Sequence, residues 1–509
     1  MNPNQTPSPA TGARTWRKSL MLTAIVVVSI TALFYAEENY RHTAAWRAHA
    51  ARVGLDAHPL NFRDFLPKPV PEDQNFAATP VLKRIGIKGR SDEAFKQELQ
   101  TYAAAALIAD ITKGARANLE GALAFLEKNH GAVEANHTRQ GLALLDATKD
   151  ITRPGLAVLE AMKAVDPVVN ELRTASQRAH AQFECDGEDP WSLPLPDYTA
   201  MRILSQILSI RISAFLESKQ PDEAMQDAMV LHRLMEAMKS NNTLVTAMVR
   251  VAVGGIESGC FWEGWSRHAW RKADYEQFQK HYEALNYVEG VHKAFQGGER
   301  AGVHYLALNY PASKLAEVFS GGHTPAKSLK DAVFSRMYEL GLFLAPSGWR
   351  LAALQRYDSM MVEALAAMDP LNRRMDLAAS RAVTDRVIAS TESPQPLNLL
   401  VNVAIPNFSK ALTSAARKQT FVHLSTIVCA LERFKMEQGA YPKTLNSLLP
   451  RYLSKLPGEV ASTGMFHYAT EATGRFTLYS IGADGKDDGG TPGTSDENGD
   501  WPWISAAAE

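Results

Sequence analysis

Residues 19–36 read SLMLTAIVVVSITALFYA, and this stretch decides how the rest of the chain is arranged. None of these 18 residues is charged, and the segment from Leu20 to Val28 is strongly apolar. A helix of this length rises about 27 Å, close to the roughly 30 Å thickness of the hydrocarbon layer of a bilayer. The stretch therefore predicts a transmembrane helix.

The charges that flank this helix predict its orientation. They are basic before the helix and acidic after it: Arg14, Arg17 and Lys18, then Glu37 and Glu38. Because basic residues stay on the cytoplasmic side of a membrane, we expect residues 1–18 to form a cytoplasmic tail. The chain then becomes a single-pass protein of a bacterial inner membrane, with its bulk in the periplasm.

A cleavable signal peptide is the alternative to an anchor. Its apolar core is normally shorter, and its cleavage site carries small residues at positions −3 and −1. A cut after Ala36 would place the bulky Phe34 at position −3. An uncleaved anchor over residues 19–36 is therefore the preferred prediction, and under either reading the remaining chain is exported.

The composition limits the classes of partner. The 509 residues include 54 Lys and Arg against 55 Asp and Glu, a net charge of −1. A chain without a basic excess has little with which to neutralise a phosphate backbone, so nucleic acid is not an expected partner. The expected partners are the lipid bilayer, through residues 19–36, and a protein of the cell envelope. Three cysteines are too few and too scattered for a disulfide framework: Cys185, Cys260 and Cys429.

Proline and helical periodicity divide the rest of the chain into segments. Five prolines from Pro59 to Pro80 exclude a continuous helix there and predict an extended tether. The predicted boundaries are the tether at 37–90, a helical body at 91–391 interrupted by an acidic, Pro-rich loop or subdomain break at 184–197, a linker at 392–407 and a C-terminal module at 408–509.

The clearest helical pattern is a pair of apolar stripes on either side of Pro221. Pro221 suits the first position of a helix, and Asp222 and Glu223 suit its N-terminal turn. We expect an antiparallel helical hairpin within an α-helical bundle or irregular solenoid. The stripes are Met201, Leu204, Leu208, Ile212 and Phe215, then Ala224, Ala228, Leu231, Met235 and Met238.

The C-terminal module combines a helix with a sheet, so that the predicted fold is mainly α with a small antiparallel sheet. A long helix is predicted from Ser409 to Gln438, with Gly439 as a left-handed cap residue. The elements after it are a short helix at 445–449, strands at 465–469 and 475–481, and an acidic, Gly-rich loop at 482–503.

This order of elements resembles the globular domain of the type II secretion system major pseudopilin. The motifs that carry the resemblance are ALERF at 430–434, GAYP at 439–442, YSIGADG at 479–485, GG at 489–490 and DW at 500–501. The resemblance covers roughly the last fifth of the chain and implies a pilin-like α+β domain associated with a type II secretion-like envelope assembly. The helical body is similar to that of anchored proteins carrying the same module in planctomycete-type bacteria.

In the pseudopilin family the final loop binds calcium, and the residues of this chain suit that role. Six carboxylates lie within residues 484–500, where Lys486 is the only basic residue. Calcium takes roughly six to eight oxygen ligands. Composition alone also allows a solvated acidic tail. The ligands implied by the resemblance are, first, Asp484 and Asp496, and then Asp487, Asp488 and Asp500.

One departure limits the resemblance. In pseudopilins the processed N-terminus opens the same helix that forms the filament core, whereas here the transmembrane segment ends near Ala36 and the long helix starts at Ser409. That helix cannot lie in lipid because it is charged. We therefore expect a folded, calcium-rigidified display domain and no pilus. The charges are Arg417, Lys418, Glu432, Arg433 and Lys435.

The sequence contains no linear catalytic motif of the zinc-protease, nucleophile-elbow or phosphate-loop kind. Two Glu-x-x-His pairs have the spacing used in di-iron sites, but 14 histidines make chance pairs common. The pairs are Glu134 with His137 and Glu289 with His292. We therefore predict a non-enzymatic, membrane-anchored scaffold or interaction protein. The alternative is a periplasmic enzyme whose active site lies in the helical body.

Overall fold

The protein is mainly helical, with two small antiparallel sheets, one of them near the C-terminus as predicted. The computed structural model describes residues 9–110, 115–134, 153–187, 189–319, 340–341, 343–391, 408–471 and 473–503. The linker predicted at 392–407 lies outside the described residues.

Within these ranges the helices follow one another, and the strands are short. The helices are α1 Pro9–Arg52, α2 Pro80–Ile85, α3 Glu93–Ala109, α4 Leu119–Glu134, α5 Pro154–Ala161, α6 Asp166–Ala175, α7 Tyr198–Glu217, α8 Pro221–Ala237, α9 Leu244–Ser266, α10 Lys272–Ala284, α11 Tyr287–Ala294, α12 Gly302–Asn309, α13 Ala312–Phe319, α14 Ser347–Ala366, α15 Leu377–Thr391 and α16 Phe408–Gln438. A π-helical stretch, Phe295–Ala301, joins α11 to α12. The strands are β1 Met368–Asp369, β2 Arg374–Met375, β3 His467–Thr470, β4 Phe476–Ser480 and β5 Trp501–Pro502.

The chain divides into two compact units, and neither is continuous in sequence. Unit 1 consists of Met1–Leu60, Val303–Met360 and Arg386–Pro406. Unit 2 consists of Asn61–Gly302, Met361–Asp385 and Asn407–Glu509. The break predicted at 184–197 is an irregular segment within unit 2, since the residues on both sides of it belong to that unit.

Helix α1 is longer than a bilayer is thick. Its 44 residues rise about 66 Å, and the apolar window within it is fully exposed. The apolar helix is thus as predicted, but no extended tether begins at residue 37. Residues 37–52 contain neither Gly nor Pro and continue the helix, which stops before Gly54 with its φ of +78°.

The C-terminal end of α1 packs within unit 1. The Nε1–H of Trp349 donates to Glu38 over 2.6 Å, and the backbone N–H of Gly348 donates to Asn39 over 2.7 Å. A side chain on Gly348 would collide with the carbonyl oxygen of Glu38, 2.7 Å from an added Cβ. This close approach ties α1 to the start of α14.

The predicted hairpin is formed by α7 and α8, which pack side by side in unit 2. Helices α7 and α9 are also long and apolar enough to cross a membrane by composition. However, α7 is almost wholly buried inside the protein, and α9 carries the buried ionisable residues Arg250, Glu257 and Glu263. Of these three helices, only α1 has an apolar window that is exposed throughout.

The C-terminal module does not form a separate core. Its long helix α16 packs against α9, α10 and α11 of the body. At this contact the Nε1–H of Trp265 donates to Glu432 over 2.6 Å, and the Tyr441 hydroxyl donates to the same carboxylate over 2.6 Å. Strands β3, β4 and β5 form an antiparallel sheet beside α16, and Gly439 has a φ of +84° as its cap position requires.

Candidate metal centre

Three helices of unit 2 each bring one ionisable side chain to the same buried point. His232 is on α8, Glu257 on α9 and His281 on α10. Each occupies the inward face of its helix, where the neighbours of His232 are apolar residues such as Leu231 and Met235. The packing of these three helices therefore assembles the cluster.

The ligand atoms of the cluster are close together. Nδ1 of His232 lies 2.7 Å from Oε1 of Glu257, and Nε2 of His281 lies 2.9 Å from the same oxygen. The two imidazole rings are stacked, with centroids 3.1 Å apart and planes at 9°. His232 is only 4% exposed and Glu257 1%. These two residues are therefore buried, whereas the side chain of His281 is 15% exposed.

These short distances are not hydrogen bonds. Among the described residues, both nitrogens of His232, both carboxylate oxygens of Glu257 and Nε2 of His281 are buried without a partner in hydrogen-bond geometry. A buried polar atom left unsatisfied costs about 1–3 kcal/mol. A cation among these atoms would satisfy them together.

A similar trio in unit 1 shows the contrast. Asp358 accepts from His49 over 2.7 Å and from His304 over 2.6 Å, both in good hydrogen-bond geometry. There the carboxylate satisfies both imidazoles directly. In the cluster of unit 2 the nitrogen and oxygen atoms are equally close but do not meet in hydrogen-bond geometry, so a metal ion could be held there.

The ionisation states of the cluster suit a metal. Burial alone raises the pKa of Glu257, but the neighbouring His281 and His232 outweigh it and hold that pKa well below its usual range. Burial, together with His232, lowers the pKa of His281 and favours the neutral imidazole. A carboxylate and two imidazoles are a ligand set used for zinc. Zinc would need the ligand atoms roughly 3.0–3.5 Å apart, a few tenths of an ångström wider than here.

Lys418 of α16 completes the surroundings of the cluster. Its Nζ donates to the carbonyl oxygen of Gly254 and to the hydroxyl of Ser258, both on the helix that carries Glu257. Burial lowers the pKa of Lys418 to about 8, against the opposing effect of Glu257. The C-terminal module thus places a cation close to the candidate metal centre.

The acids predicted as calcium ligands are mostly bound to the backbone of their own loop. Asp484 accepts from the backbone N–H of Lys486 over 3.0 Å and from that of Gly499 over 3.1 Å. Asp500 accepts from Asp488 over 3.0 Å and from Gly490 over 2.6 Å. These bonds hold the loop in a defined conformation, which differs from a solvated tail.

The remaining predicted ligands point elsewhere. Asp496 forms an ion pair with Arg417 of α16, and Asp487 accepts from the hydroxyl of Tyr479 over 3.0 Å. The side chain of Asp488 is exposed. Across the described part of the chain, the His232, Glu257 and His281 cluster is the one group of at least three possible ligands with atoms within 4.8 Å of one another.

Asp500 nevertheless has an oxygen available for a cation. It is 1% exposed, and within the described residues its Oδ1 is buried without a hydrogen-bond partner. The loop around it turns through glycines with positive φ, among them Gly482 at +72° and Gly499 at +70°. A Cβ on Gly482 would lie 2.2 Å from the carbonyl oxygen of Gly499, so this close approach requires glycine.

The Glu-x-x-His pairs do not form a di-iron site in the described residues. Glu289 pairs with Lys293 over 2.6 Å on the exposed side of α11. His137 lies outside the described residues. The sequence signal for the observed cluster was a histidine within the apolar stripe of α8 and a glutamate within the apolar helix α9, which periodicity alone assigns to packing.

Comparison of the chain with protein-family models, with curated proteins and with solved structures returned no match.

Proposed function

We propose that this chain is a membrane-anchored scaffold or interaction protein that works outside the cytosol. The observation that carries the proposal is α1, whose apolar window is fully exposed and long enough to span a bilayer. The basic residues before that window and the acidic residues after it support an orientation with the N-terminus in the cytoplasm. A bacterial inner membrane with the bulk of the chain in the periplasm fits this orientation.

The candidate metal centre supports a structural role rather than a catalytic one. His232, Glu257 and His281 supply three ligands, whereas structural zinc usually has four. A water would complete the coordination here, and the burial of His232 and Glu257 in the core is what favours the structural role. A metal at this point would hold α8, α9 and α10 together. We therefore include structural zinc in the proposal, with His232, Glu257 and His281 as its ligands.

Calcium in the C-terminal loop is a second part of the proposal. The resemblance to the type II secretion pseudopilins motivates it, and the buried free oxygen of Asp500 supports it. Asp484 is close by, since it binds the backbone of the adjacent Gly499. Because Arg417 pairs with Asp496, calcium binding at Asp496 would require that ion pair to open. Association with a secretion-like envelope assembly rests on the resemblance alone.

The metal proposal is tested by metal analysis of the full chain purified in detergent. We expect about one zinc per chain, lost together with several degrees of thermal stability on chelation. Glu257→Gln removes the central ligand and abolishes the zinc, whereas Glu127→Gln, on the exposed side of α4, leaves it unchanged. A zinc-free wild type whose melting is insensitive to both zinc and chelator would refute it.

The calcium proposal is tested separately with a calcium-selective chelator. We expect calcium to raise the melting temperature of the wild type and not that of Asp500→Asn. The exposed Glu497→Gln serves as the loop control and keeps the calcium response. Equal melting of the wild type with calcium and with chelator would remove this part, and the anchor would stand.

One observation favours the alternative of a periplasmic enzyme. Unit 2 contains a cavity into which several ionisable side chains converge, and such a cavity is the usual form of a ligand site. A reporter fused to the C-terminus that proved cytosolic would exclude both functions, because both require export.

A further inference from the structure

A cavity of about 540 Å³ lies in unit 2, away from the candidate metal centre. Its ionisable lining consists of three cations and two acids: Lys239, Arg250, Lys293, Asp64 and Glu289. Its polar lining includes Asn241, and its apolar lining includes Phe65 and Leu66. The volume falls in the usual range for a site that binds a small molecule, roughly 300–1,000 Å³.

Arg250 is the unusual member of this lining. It is 6% exposed, and its Nε is buried without a hydrogen-bond partner in the described part of the chain. Its nearest aromatic contact is the ring of Tyr287, 5.8 Å from Cζ. Gly290 gives the guanidinium room, since a Cβ there would lie 2.9 Å from Nη1. In the described residues no carboxylate pairs with this guanidinium directly, and Glu236 and Glu289 act on it only from a longer distance.

Two other arginines of unit 2 form ion pairs inside the fold and provide a comparison. Arg211 and Arg173 share the fully buried carboxylate of Asp227, at 3.0 Å and 2.6 Å. A buried charge without a partner is strongly unfavourable. The absence of such a carboxylate at Arg250 indicates that its partner comes from outside the chain.

A second buried donor lines the same cavity. The Oδ1 of Asn241 accepts from the hydroxyl of Thr246 over 3.0 Å, which directs the amide Nδ2 the other way. That Nδ2 is buried and has no hydrogen-bond partner among the described residues. Two unsatisfied donors, one of them charged, thus line one cavity.

The other two cations are partly neutralised. Lys293 pairs with Glu289 over 2.6 Å, and Lys239 lies 3.9 Å from Glu236. Both lysines are about half exposed, as groups at the mouth of a cavity would be. They would attract an anion over a longer distance, while Arg250 and Asn241 bind it inside.

We propose that this cavity binds a small organic anion, whose carboxylate or phosphate group pairs with the Arg250 guanidinium and accepts from Nδ2 of Asn241. The planar guanidinium suits two oxygens of one such group. The apolar part of the lining, around Phe65 and Leu66, accommodates the carbon skeleton. The site is independent of the scaffold proposal and of both metal proposals.

The test measures binding to the full chain in detergent by calorimetry and thermal shift, with succinate and inorganic phosphate as probes. We expect millimolar or tighter binding of at least one probe, and which one binds tells carboxylate from phosphate. Arg250→Gln should weaken that binding about 10- to 100-fold. Arg202→Gln, on the exposed side of α7, should leave it unchanged.

Asn241→Asp tests the same site by adding a carboxylate to the cavity instead of removing the arginine. It supplies Arg250 with a carboxylate from within the chain, so it should raise the melting temperature without anions and abolish the response to them. The proposal is overturned if neither probe binds the wild type, or if Arg250→Gln and Asn241→Asp both bind as the wild type does. If Arg250→Gln fails to fold, Asn241→Asp alone decides.

Discussion

Arginine substitutions at the centre of residues 19–36 test the anchor on which the proposed topology depends. Nine Leu, Ile, Val and Phe side chains lie in this segment, between 47% and 71% exposed. At about −0.3 to −0.6 kcal/mol each, they favour insertion by about 3–5 kcal/mol. One arginine at the helix centre costs about 2.5–3.5 kcal/mol and also removes one favourable side chain.

The numbers predict a graded outcome. Val27→Arg should leave insertion close to balance, because one central arginine cancels most of the favourable free energy. Val27→Arg combined with Val28→Arg should make insertion unfavourable by a few kcal/mol and release the chain. Val27→Leu combined with Val28→Leu should insert as the wild type does.

The assay is alkaline carbonate extraction of membranes from cells that express the full chain. The membrane-bound fraction should be nearly complete for the wild type, intermediate for Val27→Arg and close to zero for Val27→Arg combined with Val28→Arg. A matched control places two arginines at exposed positions of the body, Gln97→Arg with Glu127→Arg, and should stay in the membrane. If the double-arginine span variant resists extraction as the wild type does, α1 is not what holds the protein in the membrane.

Three further predictions concern unit 2, each measured by urea denaturation of the full chain in detergent with tryptophan fluorescence. Burial lowers the pKa of His423 to about 4, so the unfolded chain binds a proton at this residue before the folded chain does, and the free energy of unfolding decreases as the pH falls from 6.5 to about 4. Over this window the wild type should lose about 3 kcal/mol more than His423→Asn does. Parallel plots of unfolding free energy against pH for the two proteins would contradict this prediction. Asp227→Asn should cost about 2–3 kcal/mol, because it removes the carboxylate shared by the buried Arg211 and the partly buried Arg173, although Asp166 and Glu223 still pair with them; a loss under 1 kcal/mol would show that these two acids suffice. Gly439→Ala should cost about 1–2 kcal/mol through its positive φ alone, since nothing lies within 4 Å of an added Cβ, and an unchanged midpoint would show that the helix end relaxes.

Much of the local structure followed from sequence pattern. The apolar span, the α7–α8 hairpin, the long helix ended by Gly439 and the hairpin strands β3 and β4 are set by hydrophobic periodicity and by Pro and Gly. The strands β1 and β2 were missed because two-residue strands carry no periodicity. The extended tether predicted at 37–90 was wrong. Residues 37–52 continue α1, since the prolines that suggested the tether begin only at Pro59, and the later part includes α2 and the buried core residues Phe76 and Ile85.

The arrangement in space could not be predicted in the same way. Periodicity shows which face of α16 is apolar, but not that α9, α10 and α11 cover it. The metal cluster was missed for the same reason, because His232 and Glu257 belong to separate helices and meet only through tertiary packing. The five predicted calcium ligands came from the resemblance to pseudopilins, supported by the density of acids in the loop, and the loop directs Asp496 and Asp487 to different partners.

The unbroken helix α1 has a mechanical consequence. In the proposed topology it continues beyond the bilayer for residues 37–52, about 24 Å, as a rigid extension of the span. Near residue 37 this extension is hydrogen-bonded through Glu38 and Asn39 to Trp349 and Gly348. Near its C-terminal end, His49 is hydrogen-bonded to Asp358. A tilt of the span in a thinner or thicker membrane would therefore be transmitted to unit 1 as a rotation, where a flexible leash would have absorbed it.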